Sequence, residues 1–246
     1  GINYFYLSDS VFSNGIYVSG KTDIFANEPI VEQIIIVLSA ELKGDIVFRD
    51  LHIGVLNFGG YNSSANLMFM NLFINQIRIK GLINNAGLIF SGIKASFIDW
   101  FETKGKVKTI RDNALYINDS NFGKAQFFQT DFSSFQKVSF HNNIIIDIST
   151  SLMKWFTPDK LDDGDKEVHL LIYKASIKKK DSKMRINNNR NALISKYKSI
   201  QETYRQLKFA SQKQMDVPSS LEFQKHEMNY YRKIISLQKP RKWDEY

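Results

Sequence analysis

The chain has 246 residues, of which 43% are apolar, so it is long enough to bury one or two hydrophobic cores. It contains no cysteine, which excludes disulfides and thiolate metal sites and fits a reducing compartment. Its net charge of +8 is unevenly placed, because residues 151–246 hold 21 Lys and Arg against 12 Asp and Glu.

Two further absences narrow the class of protein. The sequence has no secretory signal at its start, and its longest apolar run, Ile34–Leu38, is far short of the roughly 20 residues that a membrane-spanning helix needs. We therefore expect this part of the chain to be soluble.

Large apolar residues recur at every fifth position in much of the first 150 residues. The recurrence is loose at Leu67, Leu72, Ile77 and Leu82 and strongest in residues 120–148. In the strongest part, phenylalanines stand at the positions Phe122, Phe127, Phe132, Phe135 and Phe140. A period of five matches neither a helix nor a strand, so it predicts a chain that turns a corner once per pentad and sends one side chain to a common axis.

Residues 120–148 resemble pentapeptide-repeat proteins with degenerate repeats. The resemblance implies a mainly β N-terminal part, an irregular right-handed β-helix or solenoid over residues 1–150. It also implies that the five phenylalanines form the structural core ladder. The alternative is an ordinary β-sandwich or single-sheet domain with a phenylalanine-rich core.

Residues 151–190 are predicted to be a linker that contains one strand, Val168–Ile177. The acidic run Asp159–Gly164 does not predict a calcium site, because Leu161 and Leu170 stand where a calcium loop needs oxygen ligands.

Residues 191–246 change to a helical period and predict a basic helical hairpin. One apolar stripe runs from Leu193 to Phe209, and a second runs from Leu221 to Ile235 beyond the break at Pro218. The segment 200–246 resembles the helical hairpin of bacterial pentapeptide-repeat membrane proteins, some of which are channel-like. That resemblance implies a location at the inner face of the membrane and membrane helices beyond Tyr246.

No catalytic, metal or cofactor site is predicted. The four histidines do not share a helix face or strand face, and the sequence has no nucleophile elbow, phosphate loop or dinucleotide fingerprint. We therefore expect a protein that is not an enzyme and has no cofactor.

Basic residues of the C-terminal half are the candidate contacts for an anionic partner. The candidates are Lys178, Lys179, Lys180, Lys183, Arg185, Arg205 and Lys208. Three interpretations stay open: phosphate contact with a nucleic acid, attraction to anionic lipid next to a membrane segment, and a simple solvated helix face.

The sequence thus predicts a non-enzymatic cytoplasmic scaffold or sensing domain of a bacterial membrane-associated protein. It would act through protein or ligand contacts, and a protein partner or self-association is expected. The alternative function is a soluble nucleic-acid-associated binding module that uses the basic C-terminal half.

Overall fold

The structure is a computed structural model that describes residues 2–8, 15–20, 29, 31–38, 44–105, 113–157, 160 and 182–238. The chain divides into two compact units, residues 1–161 and residues 162–246. The first unit is a parallel β-sheet, and the second is a pair of helices.

The first unit contains a 12-stranded sheet in which every pair of strands is parallel. The strands are β1 (Ile2–Ser8), β2 (Ile16–Ser19), β3 (Val31–Leu38), β4 (Ile46–Asn62), β5 (Leu67–Asn84), β6 (Gly87–Ser91), β7 (Lys94–Phe101), β8 (Lys104–Gly105), β9 (Ala114–Asn118), β10 (Asn121–Phe128), β11 (Lys137–His141) and β12 (Ile144–Ser151). The main strand order is β1-β3-β4-β5-β6-β9-β11.

Two long strands, β4 and β5, join two series of neighbours. Their N-terminal portions pair with β2 and β6, while later portions pair with β3 and β7. Each long strand bends at a residue with positive φ, Asp50 in β4 and Asn71 in β5. The Asn71 amide donates a hydrogen bond to the Asp50 carboxylate at 3.1 Å, so neighbouring bends are tied together.

Equivalent positions lie side by side on neighbouring strands because the pairing is in register. One such row is Ile46, Leu67, Leu88, Leu115 and Val138, with separations of 21, 21, 27 and 23 residues. All five side chains are buried. The core of the unit is built from rows of this kind.

The predicted fold class, an irregular right-handed β-helix or solenoid over residues 1–150, is wrong. The described residues form one parallel sheet, open at β1 and β11, followed by two helices. The bends also do not recur at every fifth residue: the residues with positive φ are Asp50 and Gly60 in β4 and Asn71 and Gly81 in β5, ten residues apart in each strand. The alternative of a single-sheet domain with a phenylalanine-rich core is closer to the structure.

Strand alternation with slips explains the five-residue spacing of the phenylalanines. Within β10, Phe122 and Phe127 are both buried, but Ala125 between them is buried too. The pattern has a period of two and slips by one residue at Gly123, which has a φ of +57°. Phe132 lies in a single 3₁₀ turn, Phe132–Ser134, rather than in a strand. The five-residue spacing of these phenylalanines therefore results from a one-residue slip in strand alternation and from the 3₁₀ turn.

The second unit contains α1 (Ser182–Lys213) and α2 (Val217–Gln238). Tyr204 of α1 and Tyr230 of α2 are buried and stacked, with ring centroids 6.1 Å apart. Asp216 precedes α2, and its carboxylate accepts a hydrogen bond from the Ser219 N–H at 3.2 Å, which satisfies one free donor of the first turn.

Helix α1 begins nine residues before the start that the sequence predicts, so residues 182–190 are helical rather than linker. The predicted strand Val168–Ile177 lies outside the described residues. Neither described helix is long and apolar enough to cross a membrane.

Candidate functional site

The outer face of the sheet unit is formed by seven strands that follow one another as β1, β3, β4, β5, β7, β10 and β12. Two neighbouring rows of residues on this face are Tyr6, Ile35, Asn57, Arg78, Asp99, Gln126 and Ser149, and Ser8, Val37, Gly59, Lys80, Phe101, Phe128 and Ser151. The row between them in sequence, which includes Ile36, Phe58 and Ile79, is buried on the core side. The two outer rows thus place polar, basic and aromatic groups on one surface.

A groove opens in these rows across β3, β4 and β5. We call it the Gly59 groove. Its first wall is Ile35 and Val37, its floor is Gly59 and Gly60, its second wall is Arg78 and Lys80, and Asn57 lies at one end. Its volume is about 380 Å³, within the usual range for a small-molecule site.

The floor of the groove is glycine because of the backbone. A Cβ on Gly59 would lie 1.9 Å from the carbonyl oxygen of Lys80, which is a severe clash. Gly60 has a φ of +97°, and the register of the β4–β5 ladder shifts between these two glycines. An L-residue with a side chain is disfavoured at such a bulge. With no side chain at these two positions, the backbone of β4 can approach the carbonyl oxygens of Lys80 and Leu38 on its two sides, and the two glycines form the floor of the groove.

The second wall carries two positive charges. Arg78 and Lys80 are both exposed, and neither forms an ion pair with a carboxylate of the described residues. Asp99 is opposite Arg78 on β7, but its carboxylate accepts a hydrogen bond from the Gln76 amide at 3.3 Å. Two cations next to an apolar wall and floor are complementary to an anion with an apolar body.

Asp99 is only 8% exposed, and it pairs in register with Arg78 of the cationic wall. Burial raises its pKa above the ordinary value, while the Gln76 hydrogen bond and the charge of Arg78 oppose the rise.

A second groove lies beside the C-terminal part of β5 and the bends that follow β7 and β10, and has a volume of about 440 Å³. It is lined by Gly81, Ile83, Glu102, Lys104 and Gln129. The charges of Glu102 and Lys104 are opposite in sign, so this groove lacks the net complementarity of the Gly59 groove. We regard it as the weaker site.

The five predicted core phenylalanines, Phe122, Phe127, Phe132, Phe135 and Phe140, are all buried in the sheet unit. None of the five phenylalanines lines the Gly59 groove. Their role is in packing: Phe127 and Phe132, for example, meet edge to face with ring centroids 5.6 Å apart.

The predicted basic contacts are only partly described. Lys178, Lys179 and Lys180 lie outside the described residues, and the side chains of Lys183 and Arg185 are outside them too. Arg205 forms an ion pair with Glu202 at 2.6 Å, and Lys208 forms one with Glu227 at 2.7 Å. The two described cations are thus engaged within the helical unit, and the nucleic-acid alternative stays a prediction.

No local sequence pattern predicts Arg78 and Lys80 as binding residues. They alternate with the buried Ile77 and Ile79, a pattern typical of an ordinary strand with one solvated face. The adjacent glycines Gly59 and Gly60 can be recognised in the sequence, but such a pair is also typical of a turn. What joins these residues is the register of three strands, which no local pattern shows.

Among the described residues, no group of three or more His, Asp and Glu side chains could hold a metal ion. No family model, no curated protein and no solved structure matches this chain. The resemblance to pentapeptide-repeat proteins accordingly stays a prediction.

Proposed function

We propose that the sheet unit is a non-enzymatic ligand-binding domain, the sensing part of the protein, and that the Gly59 groove takes a small organic anion. The observation that carries this proposal is the pair of exposed cations, Arg78 and Lys80, which form no ion pair with a carboxylate of the described residues and lie beside an apolar wall and a glycine floor.

The energetic argument combines two contributions. An apolar ligand body removes the exposed surface of Ile35 and Val37 from water, at about 25 cal/mol per Å². Charge-assisted hydrogen bonding to the cationic wall then fixes the anionic group and selects its orientation. Because the glycine floor is imposed by the backbone, the groove exists before the ligand binds and little ordering opposes binding.

The experiment that tests the proposal uses the fluorescent amphipathic anion 8-anilinonaphthalene-1-sulfonate and the full chain. We expect saturable binding to the folded protein that Lys80→Ala weakens several-fold. Lys124→Ala is the matched control, because Lys124 is an exposed lysine on β10 of the same outer face, two strands from β5. The two variants change the net charge equally, so a general electrostatic effect would weaken both.

Equal binding by wild type and the Lys80→Ala variant would contradict the proposal. Binding that increases on partial unfolding in urea would contradict it as well, since the dye would then report exposed core rather than a formed groove. Thermal unfolding of both variants shows whether either substitution has damaged the fold.

A cytoplasmic location is part of the proposal, and the absence of cysteine supports it. Attachment to the inner face of a membrane stays a prediction. Co-sedimentation of the full chain with vesicles of anionic lipid tests it, and recovery of the protein only in the supernatant would contradict it.

A further inference from the structure

The Gly59 groove is narrow, and its width is set by strand spacing. Neighbouring strands lie about 4.8 Å apart, so the backbones of β3 and β5 are about 10 Å apart across β4. The side chains of Val37 and Lys80 take part of that distance, which leaves room for one layer of apolar atoms above Gly59. An aromatic ring standing on its edge, about 3.4 Å thick, fits this gap.

The groove is also short. From Asn57 to Gly60 the strand rises about 10 Å, at about 3.3 Å per residue. One or two fused rings with a directly attached acid group match that length. A long acyl chain would extend beyond Gly60 into solvent and lose the benefit of burial.

The two cations of the second wall have different capacities. Arg78 offers a planar fork of donors that binds a carboxylate through two parallel hydrogen bonds. Lys80 is two residues further along the same face of β5 and offers a point charge. When Arg78 holds the acid, Lys80 lies beside the body of the ligand rather than its acid group. A cation beside an aromatic face is stabilised by the ring quadrupole, whereas a cation beside methylene groups is not.

Resting on the proposed function, we infer that the ligand of the Gly59 groove is an aromatic monocarboxylate of one or two rings. The ring stands on Gly59 and Gly60 between the β3 and β5 walls. Its carboxylate binds Arg78, and one ring face receives the ammonium of Lys80. The other ring face packs on Val37.

Two other anion classes fit the groove less well. A phosphate group is usually held by several free backbone N–H groups in a loop or at a helix start, but Gly59 lies within a paired strand ladder. A sugar acid needs many polar partners for its hydroxyls, and Asn57 is the only uncharged polar side chain of the lining.

The test compares three probes by their effect on the backbone amide signals of Gly59 and Gly60 in the full chain. The probes are 2-naphthoate, its neutral analogue 2-naphthalenemethanol, and octanoate, a carboxylate with a flexible chain. We expect 2-naphthoate to bind about tenfold more tightly than either of the others, from the summed effect of the carboxylate and the ring. Val37→Trp should abolish binding by filling the groove from its apolar wall, and Lys124→Ala should leave it unchanged.

The outcomes separate the ligand class from the proposed function. Octanoate that binds as tightly as 2-naphthoate, with shifts at the same glycines, overturns the aromatic inference and leaves the binding function in place. If no carboxylate perturbs Gly59 or Gly60 and 8-anilinonaphthalene-1-sulfonate is insensitive to Lys80→Ala, both fail. Lys80→Met provides a further check, because it keeps the side-chain length and removes the charge; full affinity in that variant would contradict the cation–ring contact.

Discussion

Phe69 lies within a cluster of aromatic side chains in the sheet unit. Its side chain is completely buried, and its ring lies 5.8 Å from Phe48, 5.2 Å from Phe90 and 5.0 Å from Phe58. We predict that Phe69→Ala lowers the free energy of unfolding by about 4–5 kcal/mol. Truncation of a buried phenylalanine costs about 3–5 kcal/mol, and loss of three ring contacts places this site in the upper part of that range.

The assay is urea unfolding followed by tryptophan fluorescence in a Trp243→Phe background. The remaining reporters, Trp100 and Trp155, both belong to the sheet unit, and Trp100 contacts Phe90 of the same cluster. With a urea dependence of about 2 kcal/mol per molar, the midpoint should fall by about 2 M.

Phe128→Ala is the matched control for this experiment. Phe128 is 38% exposed, and its ring contact is with Phe101 at 6.1 Å. We expect a loss of about 1 kcal/mol or less for this variant. A loss below about 2 kcal/mol for Phe69→Ala, or equal losses for both variants, would refute the in-register packing of the core.

Three further predictions concern buried charge. Asp99→Asn should stabilise the sheet unit at pH 7, because burial raises the pKa of Asp99; the stabilising contribution of Asp99 is fully present below the unfolded pKa of 3.8 and is lost as pH rises through the folded pKa, so the gap between the two proteins in urea unfolding should narrow toward pH 4. A double-mutant cycle with Lys208→Met and Glu227→Leu should give a coupling of about 1–3 kcal/mol, since the ion pair is 2.7 Å long and its side chains are only 16% and 13% exposed; additive losses would contradict it. An NMR titration of His226 should give a pKa below 6.5, because burial lowers it more than Glu222 raises it; the helical unit is then destabilised as pH falls from 6.5 through the folded pKa, and a pKa above 6.5 would contradict the burial of this ring.

Some of the structure followed from local sequence pattern, above all the presence of two C-terminal helices. Their stripes have a helical period, and Pro218 marks the start of α2. The start of α1 was missed because residues 182–190 are basic and rich in asparagine, so they show no apolar stripe.

The β-rich part shows why residues that are predicted to lie in the core can all be buried although the predicted fold class is wrong. Phe122 and Phe140 are buried as large apolar residues usually are, whatever the topology. The five-residue spacing of these phenylalanines is not the unit of structure, because it results from an alternation of buried and exposed residues that slips at Gly123. A period measured on one residue type cannot distinguish a true corner from a strand that shifts its face.

The candidate site was beyond sequence reasoning because it depends on register between distant segments. Val37 faces Gly59, and Gly59 faces Lys80, across two strand pairings. Positions 37 and 80 are separated in the chain by the whole of β4, and no local sequence pattern at either position predicts the other.

The same register produces both the core and the groove, and this separates the residues that fix the fold from those that fix the ligand. In a parallel in-register sheet each residue is flanked by its equivalents, so the chemistry beside a glycine on the outer face is set by its two neighbours. At Gly59 those neighbours are apolar on β3 and basic on β5. One step along each strand, Ile36 and Ile79 face the core and are fully buried. Substitutions at 37 and 80 should therefore change what the groove binds at little cost in stability, whereas a substitution at 79, which does not line the groove, should cost stability and leave the groove's chemistry unaltered.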